Sequence, residues 1–200
     1  MTLLREGAVA HDDWTWLEVD DPRLDGAGGG AGGGAGGAGG DAAGAGDGAR
    51  PLAGALIVPV AAWEAACAGA APDARLGVHG RAEGADPGRI AKAAAHGAAL
   101  VAIIFPGFAD GRGFSLARQL RQAGFAGVLR AVGPLIPDQV HFAERVGFDE
   151  VWIPDEMAAR TGPAHYAAAR RAAVGRYQWG YAAGGADGPV SILAARHAAR

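Results

Sequence analysis

The sequence predicts an α/β fold, with alternating βα units around a mostly parallel sheet of four or five strands. Three observations predict it. Short runs rich in branched apolar residues recur at 56–60, 76–79, 100–105, 128–132 and 150–153. Between them lie segments of about ten residues with apolar side chains at helical spacing. The run Leu100-Val-Ala-Ile-Ile-Phe105 is apolar throughout, as a strand covered on both faces is. A flavodoxin-like open sheet and a partial βα barrel both satisfy this pattern. About 150 ordered residues is short for a closed eight-stranded barrel.

Taken in order, residues 1–25 form an N-terminal strand segment. Trp14-Thr-Trp-Leu-Glu-Val19 alternates as a half-buried strand does, and Asp20-Asp21-Pro22 ends it. Residues 26–50 read as a flexible linker or expanded loop. Positions 26–49 contain only Gly, Ala and two Asp, which cannot bury enough apolar surface to offset their ordering entropy. Its glycines lack the flanking strand, helix and Lys-Ser/Thr pair of a phosphate loop.

Residues 51–183 form the α/β domain. A first strand at 56–60 precedes a helix at 61–70 that carries Trp63 and Cys67 one turn apart. A short strand follows and ends at His79. Asp86-Pro87 opens a helix, with Asp as N-cap and Pro at the first position. After the run to Phe105 comes a loop of Gly, Asp and Arg, 106–113. A helix then places Phe114, Ala117 and Leu120 inward, and Arg118, Gln119, Arg121 and Gln122 largely outward. Gly124 stops it. Val128-Leu-Arg-Ala-Val132 is the next strand. Pro137 then starts a helix with Val140, Ala143 and Val146 inward, closed by Gly147. The last strand, 150–153, leads to Asp155, which reads as an N-cap. Residues 184–200 are a weakly structured tail.

Bulk properties narrow the function. Lys+Arg 18 against Asp+Glu 21 leaves a net charge of -3, without the basic excess of a nucleic-acid binder. No uninterrupted apolar run is long enough to span a membrane, and the first residues lack the apolar core of a secretory signal. A cytoplasmic protein is expected, with no nucleic-acid or membrane partner. Cys67 is the only cysteine, so neither a disulfide nor a zinc set can form from it. It reads as a small packing residue. His79 and His141 have no metal-ligand spacing and read as structural or surface histidines. No metal site is expected.

In parallel α/β folds, ligands bind beyond the carboxyl ends of the strands. The first such loop carries Asp110, Gly111, Arg112 and Gly113. Its glycines let backbone approach a ligand, the following helix start favours an anion, and Arg112 can grip an oxyanion bidentately. Equally, Asp110 and Arg112 can pair with each other over a tight loop. Asp138 and Gln139 lie in a helix first turn, where an acid suits the dipole. Arg130 interrupts an apolar strand and must reach a strand end, an edge or a carboxylate. Asp110 and Asp138 are the candidates for that carboxylate. No residue is assigned a catalytic role.

The stretch Phe105-Pro-Gly-Phe-Ala-Asp-Gly-Arg-Gly-Phe-Ser-Leu-Ala-Arg118, with Leu129-Arg-Ala-Val-Gly133, Asp138-Gln139 and Arg145-Val-Gly-Phe-Asp149, resembles a bacterial domain-of-unknown-function family. That family is labelled as an oxidoreductase of sulfite reduction. The resemblance implies a sulfur-assimilation protein, with sulfite reductase or another sulfate-assimilation enzyme as partner. Members often carry Cys where this chain has Val146, which takes support from a cysteine-based redox step. The cofactor is open, and a redox step would draw on a bound flavin or nicotinamide or on a partner's centres. One expectation is an anion-binding enzyme using Arg112 and Arg130. The other is a non-catalytic accessory or assembly partner of sulfite reductase. Its contact surface would be the charged helix around Arg118 and exposed tryptophans.

Overall fold

The computed structural model describes residues 1–25 and 52–172. The expected linker at 26–50 and tail at 184–200 therefore lie outside the described residues. The described chain forms a curled, mostly parallel sheet with helices packed on it. Its strands are β1 (Thr2–Arg5), β2 (Ala8–Val9), β3 (Thr15–Trp16), β4 (Ala55–Pro59), β5 (Arg75–Arg81), β6 (Leu100–Ile104), β7 (Val128–Val132) and β8 (Glu150–Ile153). Its helices are α1 (Pro22–Asp25), α2 (Trp63–Gly69), α3 (Asp86–Ala95), α4 (Arg112–Gln122), α5 (Pro137–Val146), α6 (Asp155–Thr161) and α7 (Pro163–Ala172).

The sheet has eight strands in the order β2-β1-β8-β7-β6-β5-β4-β3, which corrects the expected four or five. The five strands of the βα units are all present. The surplus comes from the first sixteen residues. β1 pairs antiparallel with both β2 and β8, and β3 pairs parallel with β4. The β1–β2 hairpin has weak sequence signals. Its turn is Glu6-Gly7, with φ 53 and 76, where Asn-Gly or Asp-Gly is the usual pair. Leu3 and Leu4 are adjacent and both buried, so no alternation marks the strand.

Strands β4 to β8 follow chain order without the reversal of a flavodoxin-like sheet. The helices pack on one face only. Trp63, Ala66, Ile90, Ala93, Phe114, Ala117, Leu120, Val140, Ala143 and Tyr166 meet the odd-numbered residues of β6 and β7, Val101, Ile103, Leu129 and Ala131, in one core. The even-numbered Leu100, Ala102 and Val132 face the other way, with Ile57, in a second core closed by Trp14, Trp16 and Trp152. This second face is concave. β3 and β8 are five places apart in the sheet, about 24 Å if it were flat. Yet the Trp16 and Trp152 rings lie 5.1 Å apart. The sheet is thus the curled, partial-barrel alternative.

Several local expectations change. Asp86 is the first residue of α3 rather than its N-cap, and its Oδ2 accepts the Arg81 N–H at 3.0 Å. Asp155 begins α6 and makes no cap; Thr2 Oγ1 donates to its Oδ1 at 2.8 Å, tying β1 to α6. Cys67 is exposed on α2, not packed. Among the described residues, no helix is long and apolar enough to cross a membrane.

Candidate functional site

Asp110 and Arg112 lie where β6 passes into α4, at the carboxyl end of the sheet. They grip each other. The Asp110 carboxylate accepts the Arg112 backbone N–H at 3.0 Å, Nε at 3.0 Å and the terminal nitrogen at 2.6 Å. The same guanidinium donates to Glu83 Oε2 at 2.9 Å, from the loop after β5. Arg81 joins Glu83 at 3.4 Å. The result is an exposed chain of alternating charge. The Arg112 side chain, and then its backbone N–H, hold the Asp110 carboxyl down at about 2. Asp110, then Glu83, raise the Arg112 guanidinium further above its ordinary value. An anion arriving at Arg112 would meet two carboxylates already in place.

The glycines divide. A Cβ on Gly113 would sit 2.4 Å from the Phe105 ring, so this glycine admits the ring beneath the start of α4. Its role is packing and not backbone approach to a ligand. Gly111 faces open space.

Gln139 also has a local task. Its Oε1 accepts the Ile136 N–H at 3.2 Å, and its Nε2 donates to the Phe108 carbonyl. It thereby caps the start of α5 and clips the 106–111 loop to it. Asp138 is exposed beside it in the first turn. Around this clip Phe108 is 63% exposed, Ile136 39% and Phe142 44%. Phe142 stands one turn beyond Gln139 and packs edge-on against Phe114 at 4.9 Å. The described tryptophans, by contrast, are buried or half-buried, so they do not supply the expected exposed contact surface.

Arg130 points into the concave face and is 1% exposed. Its carboxylate partners are neither Asp110 nor Asp138. Nη1 and Nη2 each donate to one oxygen of Asp12 at 2.8 Å, and Nε donates to Glu150 Oε2 at 2.9 Å. Register explains Glu150, which lies directly across from Arg130 on β8. Curl explains Asp12, which hangs in the β2–β3 connection over the concave face. Arg5 on β1 completes the set, with Nε 3.1 Å from Glu150 Oε1. Glu150 raises the Arg5 guanidinium above its ordinary value. The structure therefore does not bring Arg130 together with Arg112, Asp138 or Gln139.

Beside this network, His79 stacks on Trp16 with ring centroids 4.1 Å apart. Its Nε2 lies 2.8 Å from the Leu17 carbonyl, so this nitrogen carries the proton and donates there. Burial pushes its pKa below the usual 6.5, and the Leu17 carbonyl only partly opposes this. Burial, then Glu64, raise the Cys67 thiol, which is therefore no activated nucleophile. Among the described residues, no three or more His, Cys, Asp or Glu side chains are placed to hold a metal ion.

Asp12, Glu150, Glu83 and Arg121 are the polar residues that sequence patterns did not single out as partners. Arg121 donates to the carbonyls of Gly147, Phe125 and Gly127 at 2.9, 2.7 and 2.8 Å, joining the loops at the amino ends of β7 and β8. Only Glu150, opening a strand as an acid, carried a signal.

No curated protein and no solved structure matches the chain. A family model described as a bacterial protein of unknown function (DUF934) matches residues 81–184. That span includes Asp110, Arg112, Arg130, Asp138, Gln139 and Glu150, and leaves Asp12, Trp16 and His79 outside. Since it takes in more than half of the sequence, the chain belongs to this bacterial family.

Proposed function

We propose that the chain is a non-catalytic accessory protein of sulfite reduction, which docks on a sulfite-reducing enzyme at the carboxyl end of β6 and the start of α5. One observation carries the reading. At this end of the sheet Asp110 and Glu83 already hold Arg112, while Phe108, Ile136 and Phe142 stand exposed around the Gln139 clip. Exposed aromatic side chains on a fixed scaffold suit a protein contact, because burying them releases water from large apolar area at little cost in side-chain entropy. The link to sulfite reduction rests on the resemblance at 105–118, 129–133, 138–139 and 145–149. An oxyanion at the Asp110-Gly-Arg-Gly loop fits less well, since it would have to displace Asp110 and Glu83 from Arg112.

The test is affinity purification of the tagged chain from its host under sulfate-limited growth. Sulfite reductase is expected to co-purify with the unaltered chain. Phe108→Asp with Phe142→Asp should cut its recovery about tenfold or more while the variant stays folded, with a melting temperature lowered by the loss of the Phe142–Phe114 contact. Equal recovery with the double variant would remove this surface from the interface. A flavin absorption spectrum in the purified chain would favour an oxidoreductase instead.

A further inference from the structure

We infer that the loop from Ala10 to Trp14 is a displaceable lid, and that Asp12 holds the place of a small anion on the buried guanidinium of Arg130. This goes beyond the docking surface above and does not depend on it.

The contact has the geometry of ligand recognition. Two parallel N–H groups meet two carboxylate oxygens, both at 2.8 Å. The site beneath is built into the sheet. Arg130 is 1% exposed and Glu150 3%, and Glu150 Oε2 lies 2.9 Å from both Nε and Nη2 of Arg130, fixing one edge of the guanidinium. Asp12 is the solvent-facing member, at 20%. The fork therefore opens to solvent along the direction from which Asp12 enters. Charge balance points the same way. With Asp12 in place, Arg5 and Arg130 are matched by Asp12 and Glu150. With Asp12 out, two guanidiniums face one carboxylate, and the vacated fork carries the unmatched positive charge.

The loop can give while its ends stay fixed. It has no regular structure, and it joins β2 to β3. Ala10 N–H donates to the Leu3 carbonyl at 2.9 Å at one end, and Leu17 N–H donates to the Ile57 carbonyl at 2.9 Å at the other. Between them Asp12 alone makes an ion pair with the concave face, while His11 and Asp13 are exposed. Trp14 is half-buried on the second core, with Arg75 over its ring at 4.7 Å, and its backbone N–H donates to Asp12 Oδ1 at 3.2 Å; it is the hinge end on which residues 10–13 lift. Arg5 stays behind on β1, paired with β8, when the loop lifts. The lid spans five residues between fixed ends, so the ligand is a compact anion with two coplanar or tetrahedral oxygens: a carboxylate, a phosphate or a sulfur oxyanion.

The tethered carboxylate competes with any free anion, so the apparent affinity of the intact chain is reduced by the fraction of closed lid. The full chain and its Asp12→Ala variant are titrated with acetate, phosphate and sulfate at constant ionic strength, followed by calorimetry. The variant should bind one of the three about tenfold more tightly or better, and the preferred anion identifies the ligand chemistry. Asp12→Asn, which keeps one acceptor oxygen, should fall between and serves if the Ala variant does not fold. In the intact chain, excess of the preferred anion should speed hydrogen exchange at 10–14 and leave β7 protected. Equal affinity in the intact chain and both variants, or unchanged exchange at 10–14 with anion bound, would make Asp12 a fixed structural partner and overturn the lid.

Discussion

Two glycines two residues apart in one loop do different work, and this separates packing from ligand approach at the residue scale. Gly113 lies under the Phe105 ring, which in turn packs against Phe114 at 4.8 Å. An added methyl there must push an aromatic ring or the first turn of α4, and such overpacking costs about 1–3 kcal/mol. Gly111 meets nothing within 4 Å and has φ -87, which any residue adopts. Gly113→Ala should therefore lower the urea midpoint clearly, and Gly111→Ala should leave it within about 0.5 kcal/mol of the parent. Equal effects would mean that the loop, and not the ring beneath it, sets the requirement. The Asp-Gly-Arg-Gly pattern is visible in the sequence, but its cause is not. The ring that excludes a side chain at position 113 comes from eight residues earlier, across the turn of the loop.

At the scale of elements, β3 is the short strand that depends most on a side chain from elsewhere. It has two register partners on β4, and His79 of β5 supports it through the Trp16 stack and the Leu17 carbonyl. Burial holds His79 neutral, below its ordinary 6.5. A base whose pKa is depressed by folding binds more protons in the unfolded chain across the window between the two values. Its stabilising share is complete above about 6.5 and is lost as pH falls through the lower, folded value. Urea midpoints should thus drop from neutral pH toward pH 5 more steeply in the parent than in His79→Gln, which offers a donor to Leu17 without titrating. Parallel curves would put the pH response on other histidines. The elements of the βα units were legible from residue type, because each strand is a branched apolar run and each helix carries a 3.6-residue stripe. β1 and β2 were not. A hairpin of four and two residues is stabilised by the sheet it joins, and its own pattern is too short to show.

At the scale of the whole molecule, the curl joins what the sequence keeps apart. Arg130 was legible as a charge needing a carboxylate inside a strand. Its partners were not, since Asp12 and Glu150 are 118 and 20 residues away. Sequence proximity favoured Asp110 and Asp138, but both belong to the carboxyl-end loops, while Arg130 faces the concave side. The same geometry predicts unequal consequences for two arginines that look alike in sequence. Arg112 is exposed and pairs at the surface with Asp110 of its own loop and Glu83 of the loop after β5, so Arg112→Ala should leave the melting temperature near that of the parent, as surface ion pairs generally do. Arg130→Ala removes the cation that, among the described residues, links β7, β8 and the β2–β3 connection. It strands Glu150, 3% exposed, with Arg5 alone, and it frees Asp12 from the concave face. Removing one partner of a buried pair costs about 3–5 kcal/mol, because the remaining charge stays desolvated. The lower end applies here, since Arg5 still neutralises Glu150 and Asp12 can turn to solvent. The expected result is a loss of about 3 kcal/mol in urea unfolding, together with faster hydrogen exchange in β1 and at 10–14. A loss below about 1 kcal/mol would show that the concave face is held by Trp16, Trp152 and the second core, and that the buried charges add register and not stability.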